Sequence, residues 1–351
     1  MATKLTRLGM NSLKVSILNR ILKLFLSFLF ICLVSFIIIR LIPGDPVTHI
    51  LGERGASAER IIELKKIYGL DQPLIQQFGF YIKNIFKADF GESNVSHQPV
   101  FDEFKVLWPA TFELAWMALL WATVAGISLG IVAAMKRNSF WDYAAVSIST
   151  LGFAMPIFWW ALLCIFFFSV ELQWLPVSGR IGIEFEIPFH TGFFLIDSFF
   201  SEHGFEAFVS TLRHLILPSF VLGTIPLAMM TRITRSAFID VEKEDYIRTA
   251  KAKGLSPTKI LFKHIMKNAL PQILTTVGLS LGQLLTGAII TETLFSWPGL
   301  GRWLIKSIEA RDYPVVQAGL FYSMLIIALS NRVVDFGIKK LSPKMRDPGN
   351  V

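Results

Sequence analysis

Six stretches of this chain are apolar over lengths that match a bilayer, at 24–42, 109–135, 143–170, 214–232, 271–294 and 315–338. About 20 apolar residues cross the hydrocarbon core as a helix, so the pattern predicts six transmembrane helices. The first run ends in Arg40-Leu41-Ile42-Pro43-Gly44 and is longer than a cleaved leader's apolar region, which predicts a retained span. Pro156 predicts a kink in the third span, and Pro218 with Pro226 predict breaks in the fourth. The sixth has to absorb Asn331 and Arg332 near its end.

The segments between the spans differ in charge. A basic N-terminus (1–23), Lys136 with Arg137, a polar segment at 233–270 and a basic tail (339–351) alternate with loops at 43–108, 171–213 and 295–314. In the long loop 43–108, Ser57 and Gly69 bound one predicted helix, and Asp71 with Pro73 open another. Nine Lys/Arg lie between Arg232 and Lys267, whereas 171–213 is acidic on balance. The positive-inside rule then places both termini and 233–270 in the cytoplasm. The chain is 351 residues long, 53% hydrophobic and only 17% charged, with a net charge of +8. Topology accounts for that charge, so nucleic acid is not implied. Cys32 and Cys164 both fall in apolar runs and suggest neither a disulfide nor a metal site.

The segment 233–270 reads as two short helices about a turn. Acids gather at its start and bases toward Lys253, in line with the helix dipole. Gly254 sits where a left-handed C′ residue is needed, Ser256 is placed to cap the second helix, and Pro257 suits its first position. Pro271 bounds that helix or bends it into the next span. A solvated loop, a DNA-binding hairpin and a docking element are the competing readings, and the flanking spans argue against DNA. Ile260, Leu261 and Ile265 form one apolar stripe, and Lys259, Lys263 and Lys267 a basic row on another face.

Two carboxylates, Glu113 and Glu292, fall near the outer ends of spans two and five. An intramembrane carboxylate marks either a substrate path or a structural pairing, for which Arg40 and Arg302 are the candidates. Gly278, Gly282 and Gly287 suit close helix packing. The run Trp297-Pro298-Gly299-Leu300-Gly301 predicts a tight turn at the membrane surface. The sequence carries no G-x-x-x-x-G-K-[ST] phosphate loop, no H-E-x-x-H and no pairing of a nucleophile with a base. No catalytic residue or metal ligand is predicted, so uphill transport would draw energy from a partner or an ion gradient.

At this point the residues resemble a known family. Arg248-Thr249-Ala250, then three residues, then Gly254 with Pro271 downstream, is similar to the cytoplasmic motif of permease subunits of type I ABC importers. The Glu and first Ala of the general motif are absent, and the form Asp245 to Gly254 resembles that of the peptide/nickel branch. Arg40 to Pro46, Tyr68 to Leu74, Asp89 to Ser93, Pro109 to Ala115, Trp174 to Arg180, Thr291 to Gly301 and Arg311 to Gln317 resemble the same branch. Thr191 to Asp197, with His214 to Pro218 and Gly223 to Ala228, looks most like B-type permeases of dipeptide importers.

The resemblance implies an all-α type I permease fold in a bacterial inner membrane, importing dipeptides or short oligopeptides. It implies a second permease, two ATPase subunits that carry ATP and Mg, and an extracytoplasmic binding protein as partners, with no cofactor on this chain. Asp245, Arg248, Ala250, Gly254, Leu255, Ser256, Pro257, Lys259, Ile260 and His264 would couple to the ATPase. Nickel or glutathione as cargo, an ion-coupled carrier using Glu113 and Glu292, and a membrane scaffold are the alternatives.

Overall fold

A computed structural model of the chain describes residues 2–41 and 72–341. The predicted helix from Ser57 lies outside the described residues. The described residues are helical, with no strand among them. The helices are α1 (Ala2–Leu41), α2 (Leu74–Phe86), α3 (Val100–Met135), α4 (Phe140–Ala154), α5 (Ile157–Glu171), the short α6 (Phe194–Asp197), α7 (Gly204–Glu242), α8 (Asp245–Ala252), α9 (Pro257–Leu294), α10 (Leu300–Glu309) and α11 (Tyr313–Leu341). Five of them contain stretches long and apolar enough to cross a membrane: Leu22–Leu41 in α1, then α3, α7 and α9, and Tyr313–Val334 in α11. The sixth apolar stretch is the pair α4 and α5, bent by 105°. Among the described residues there are thus five candidate spans, or six where that pair crosses as one.

Proline behaves differently in two of these places. At Met155-Pro156 the helix does not kink but stops, with Met155 extended (φ −104°, ψ 148°) and Pro156 preceding the first residue of α5. The residue before a proline is pushed out of the helical region, which ends α4 there. Pro218 and Pro226, in contrast, do not break α7, which runs through both for 39 residues. Side-chain donors serve carbonyls along this stretch: the Trp121 indole reaches Ser219 O at 2.8 Å, Ser219 reaches Ile216 O and Thr224 reaches Val221 O. Both prolines are buried, and packing against neighbouring helices sustains the helix through them. Pro271 likewise lies inside α9, so the predicted second short helix is the beginning of a 38-residue one.

The chain divides into two compact units. The larger comprises residues 104–305 and 327–351 and is organised around α7, the most enclosed of the long helices, with 72% of its apolar window buried. Small residues set its packing. Gly126 and Gly130 of α3 face Met230 and Thr234, Gly152 of α4 faces Thr224, and Gly223 of α7 faces the Trp121 ring. In α9, Gly278 meets Val334 and Gly282 meets Asn331, whereas Gly287 faces open space. Backbones approach closely only where no Cβ intervenes, which is the usual basis of helix contact in lipid.

The smaller unit comprises residues 1–103 and 306–326. Ser35 and Tyr81 share a 2.8 Å hydrogen bond between α1 and α2. The Arg40 guanidinium donates to Phe36 O and to Gln77 Oε1, 3.4 Å over the Phe36 ring. Arg40 is thus engaged within this unit. Ser93 Oγ donates to the buried Asp312 carboxylate at 2.6 Å, tying the loop after α2 to the start of α11.

Candidate functional site: a helical hairpin and two carboxylate clamps

The hairpin at 245–267 is built from helix-end chemistry. Thr249 Oγ1 donates to Asp245 O, and Lys251 Nζ reaches back to Glu242 at 2.8 Å. The turn is closed by Gly254 N to Lys251 O (3.0 Å) and Leu255 N to Ala250 O (3.3 Å), with Gly254 at φ +73°. Ser256 occupies the N-cap position of α9 with Pro257 next, but its side chain makes no capping bond; its carbonyl takes the Ile260 N–H.

The turn Ile260–Ile265 is wound as a π-helix. In that winding, residues five apart come onto one face. Ile260 and Ile265 are accordingly both buried, in a cluster with Ile247, Ala250, Ala134, Ala237, Phe238, Ile239, Ala269 and Ile273. The apolar stripe is consumed inside the chain, against the ends of α3, α7 and α9. The outward surface is Asp245, Arg248, Lys259, Lys263 and Lys267, with Tyr246 and Phe262 standing exposed among them; Phe262 is 61% exposed. Of the residues predicted to couple, Ala250 and Ile260 face inward, Leu255 and His264 are half-buried, and Asp245, Arg248, Gly254, Ser256, Pro257 and Lys259 are exposed. The hairpin is thus held rigidly by its oily side and presents cations and two aromatics on the other.

A bidentate ion pair lies at the N-terminal end of α4. Arg235 Nε and Nη2 each donate to an Asp142 carboxylate oxygen at 2.7 Å, and Asp142 also takes the Asn138 N–H. The fork geometry of arginine makes this contact directional, and it fixes α4 against α7. The two residues are 93 positions apart, and no local signal in the sequence connects them.

Elsewhere in the larger unit, Glu113 holds the loop after α5, and Glu292 joins α3 to the start of α10. Arg180 donates to Glu113 Oε2 from Nη2 (2.7 Å) and Nε (3.2 Å), and Leu195 N–H donates to Oε1 at 2.8 Å. Arg180 also donates to Gly192 O and lies 3.7 Å over the Phe194 ring. Burial lowers the Arg180 guanidinium from its ordinary value and the Glu113 charge opposes that, so the cation persists in a nearly closed site. Beside it, Asp197 caps the loop. Its carboxylate receives the backbone N–H of His190, Thr191 and Gly192 and the Thr191 hydroxyl. Burial would raise that carboxyl, but these donors outweigh it and hold the group below its usual range.

Glu292 is wholly buried. It accepts from Thr111 Oγ1 at 2.6 Å and from the Arg302 backbone N–H at 3.0 Å, while Thr111 Oγ1 itself accepts from Leu300 N–H. The Arg302 guanidinium is turned to Ser296 O instead. Trp297 is buried too, and its indole donates to Ala110 O at 2.9 Å. Gly299 and Gly301 lie against the Glu292 carboxylate where a Cβ would collide with it. Pro298 completes this turn between α9 and α10. Both carboxylates are thus occupied by donors from the chain: Glu113 by Arg180 and Leu195 N–H, Glu292 by Thr111 and the Arg302 N–H, and neither by Arg40 or the Arg302 side chain. Thr111, Arg180 and Asp197 all lie within the sequence motifs, but their spacing alone gave no sign of which residues they would meet.

Comparison with known proteins is consistent across the chain. Residues 126–347 match the family described as the binding-protein-dependent transport system inner membrane component, and residues 13–115 match its N-terminal family. The di/tripeptide transport system permease protein DppB of Pseudomonas aeruginosa is 47% identical over 91% of this chain and 95% of its own. The dipeptide transport system permease protein DppB of Haemophilus influenzae is 48% identical over 94% of this chain and 98% of its own. An inward-facing structure of the MetNI methionine ABC transporter superposes with a TM-score of 0.51 at 14% identity, covering 66% of this chain and 93% of that one, a likeness of fold alone.

Proposed function

This chain belongs to the family of binding-protein-dependent transport system inner membrane components, and on that premise we propose that it is the permease subunit of an ATP-driven importer of dipeptides and other short peptides. It is a multi-pass protein of the bacterial inner membrane. The observation that carries the cargo is the identity of 47–48% to peptide permeases over nine-tenths or more of the chain. In this reading the chain forms half of a translocation path with a second, homologous permease. ATP and Mg are bound by two ATPase subunits, and the chain itself holds no cofactor and catalyses nothing. An extracytoplasmic binding protein delivers the peptide, and both termini lie in the cytoplasm.

The hairpin supports the coupling role. A lever must be stiff on the side that joins the bundle and adhesive on the side that meets the partner. Ile247, Ile260 and Ile265 are buried against the bundle, and Phe262 with the Lys259, Lys263 and Lys267 row faces outward. Rigid-body motion of a partner gripping that outer face would be passed to α7 and α9. Glu113 and Glu292 enter as positioning residues rather than as contacts of the path. An ion-coupled carrier needs a carboxylate able to exchange a proton with the path, whereas each of these is buried among intramolecular donors.

The test is reconstitution of the chain with its partner subunits in proteoliposomes and measurement of labelled dipeptide uptake. Uptake that requires ATP and survives collapse of the proton gradient is expected. Uptake independent of ATP would overturn the reading. Competition by unlabelled nickel ions or glutathione stronger than by dipeptides would move the cargo to those species.

A further inference from the structure

The larger unit contains a groove of about 620 Å³ that the coupling and clamp residues do not use. One wall is the stretch that follows α5, and the other is the first three turns of α7. On the topology argued above it opens to the extracytoplasmic side. Its size falls within the range of about 300–1,000 Å³ typical of small-molecule sites.

The walls are fixed to each other. Gly182 N–H donates to Ser210 Oγ at 3.1 Å, and Arg213 Nη2 donates to Trp174 O at 2.9 Å. The His214 ring nitrogen Nδ1 donates to Ser210 O at 2.8 Å, since a carbonyl only accepts. Two of these bonds, Gly182 to Ser210 and Arg213 to Trp174, join the two sides of the groove; the third lies within α7.

Its charges are arranged by helix geometry. Glu206, Val209 and Arg213 follow one another at i, i+3 and i+7 along α7 and all line the groove. Seven residues advance about 10 Å along a helix axis. Glu184 from the opposite wall joins Glu206 in the lining, and Phe185 and Phe205 supply apolar surface. Among the described residues, Glu184 and Glu206 take part in no salt bridge, and Arg213 is bound only to a carbonyl. Glu206 and Arg213 thus stand about two helical turns apart along one groove that Glu184 and two phenylalanines also line, none of the three charged groups being in a salt bridge among the described residues.

An extended peptide advances about 3.3–3.6 Å per residue, so two or three residues span about 7–11 Å between a terminal ammonium and a terminal carboxylate. We propose that this groove is a subsite for zwitterionic di- and tripeptides on the permease itself, with the ammonium between Glu184 and Glu206 and the carboxylate on Arg213. The inference rests on the peptide-import reading and adds a place where the cargo touches this chain. Recognition through the two termini, with Phe185, Phe205 and Val209 offering unspecific apolar contact, would accept many side chains.

The experiment uses the whole transporter, without its binding protein, in nanodiscs of phosphatidylcholine and phosphatidylglycerol, so that no lipid carries a primary ammonium. A photoreactive tripeptide with free termini is the probe. Labelling is expected within 171–213, competed by trialanine but not by N-acetyl-trialanine amide. Glu206→Gln and Glu184→Gln are each expected to lower it about tenfold, with thermal stability unchanged because both side chains are exposed and take no part in the bonds between the walls. Arg213→Gln, which also removes the bond to Trp174 O, is expected to lower it at least as much, and Arg213→Lys to restore part of it. Labelling elsewhere, labelling indifferent to these substitutions, or equal competition by the blocked peptide overturns the subsite. The two readings fail separately. Loss of this labelling with dipeptide uptake intact removes the subsite alone, and intact labelling without any peptide uptake removes the transport reading.

Discussion

Arg180 and Glu113, 67 positions apart, meet in a buried fork at 2.7 and 3.2 Å that holds the loop after α5 against α3. Glu113 takes a third hydrogen bond from Leu195 N–H, so one carboxylate pins two points of the same loop. Removing one partner of such a pair strands a buried charge, which costs about 3–5 kcal/mol. Arg180→Ala is therefore expected to destabilise the protein by about that amount, and Arg180→Met combined with Glu113→Gln by clearly less. Thermal unfolding of the single and double variants in nanodiscs reads the difference. Equal losses in both would show that the charge pairing is immaterial.

Gly299 lies where any side chain would collide with the Glu292 carboxylate. That carboxylate holds Thr111 and the Arg302 N–H, so the collision would propagate to the contact between α3 and the turn before α10. Gly299→Ala is expected to cost about 1–3 kcal/mol, the usual range for overpacking. Gly287→Ala, in open space on the same helix as Glu292, is the control and is expected to be neutral or slightly stabilising. The two melting temperatures, measured side by side, check this.

Gly254 presents the opposite case. It has φ +73°, and the space that a Cβ would enter is open, so the constraint there is backbone conformation alone. A non-glycine residue in the left-handed region is penalised by about 1–2 kcal/mol. Gly254→Val is expected to abolish peptide uptake while the protein still inserts and purifies in normal yield. Gly254→Asn, which tolerates that conformation better, is expected to retain much of it. Uptake at the wild-type rate in the valine variant would show that the turn transmits nothing.

Asp197 predicts an acid-sensitive loop. Its folded carboxyl titrates below the ordinary value of about 3.9, so its contribution is fully present above that pH and is lost as pH falls through the folded value. The melting temperature of the wild type is expected to drop between about pH 5 and pH 3 more steeply than that of Asp197→Asn. The variant itself should be less stable at pH 7, where a carboxylate with four donors is replaced by an amide. Parallel pH profiles for the two proteins would remove Asp197 as the cause.

The all-helical class, the apolar stretches, the hairpin with glycine at its turn and the family were all readable from the chain, because each rests on a local signal. Apolar run length, capping residues and the motif around Gly254 need only neighbours in sequence. The tertiary structure decided the matters that depend on distant partners. Whether a proline breaks a helix depended on its surroundings: Pro156 ended α4, but Pro218 and Pro226 sat inside a buried, packed α7. The hydrogen-bond partners of Glu113 and Glu292 are Arg180 and Thr111, 67 and 181 positions away, which no spacing rule connects. The two faces of the hairpin were equal candidates for its outer surface until the π-wound turn placed Ile260 and Ile265 in the core, leaving Phe262 and the lysine row outward. Burial is a property of the folded whole, and periodicity reports only that a residue has an apolar side to offer.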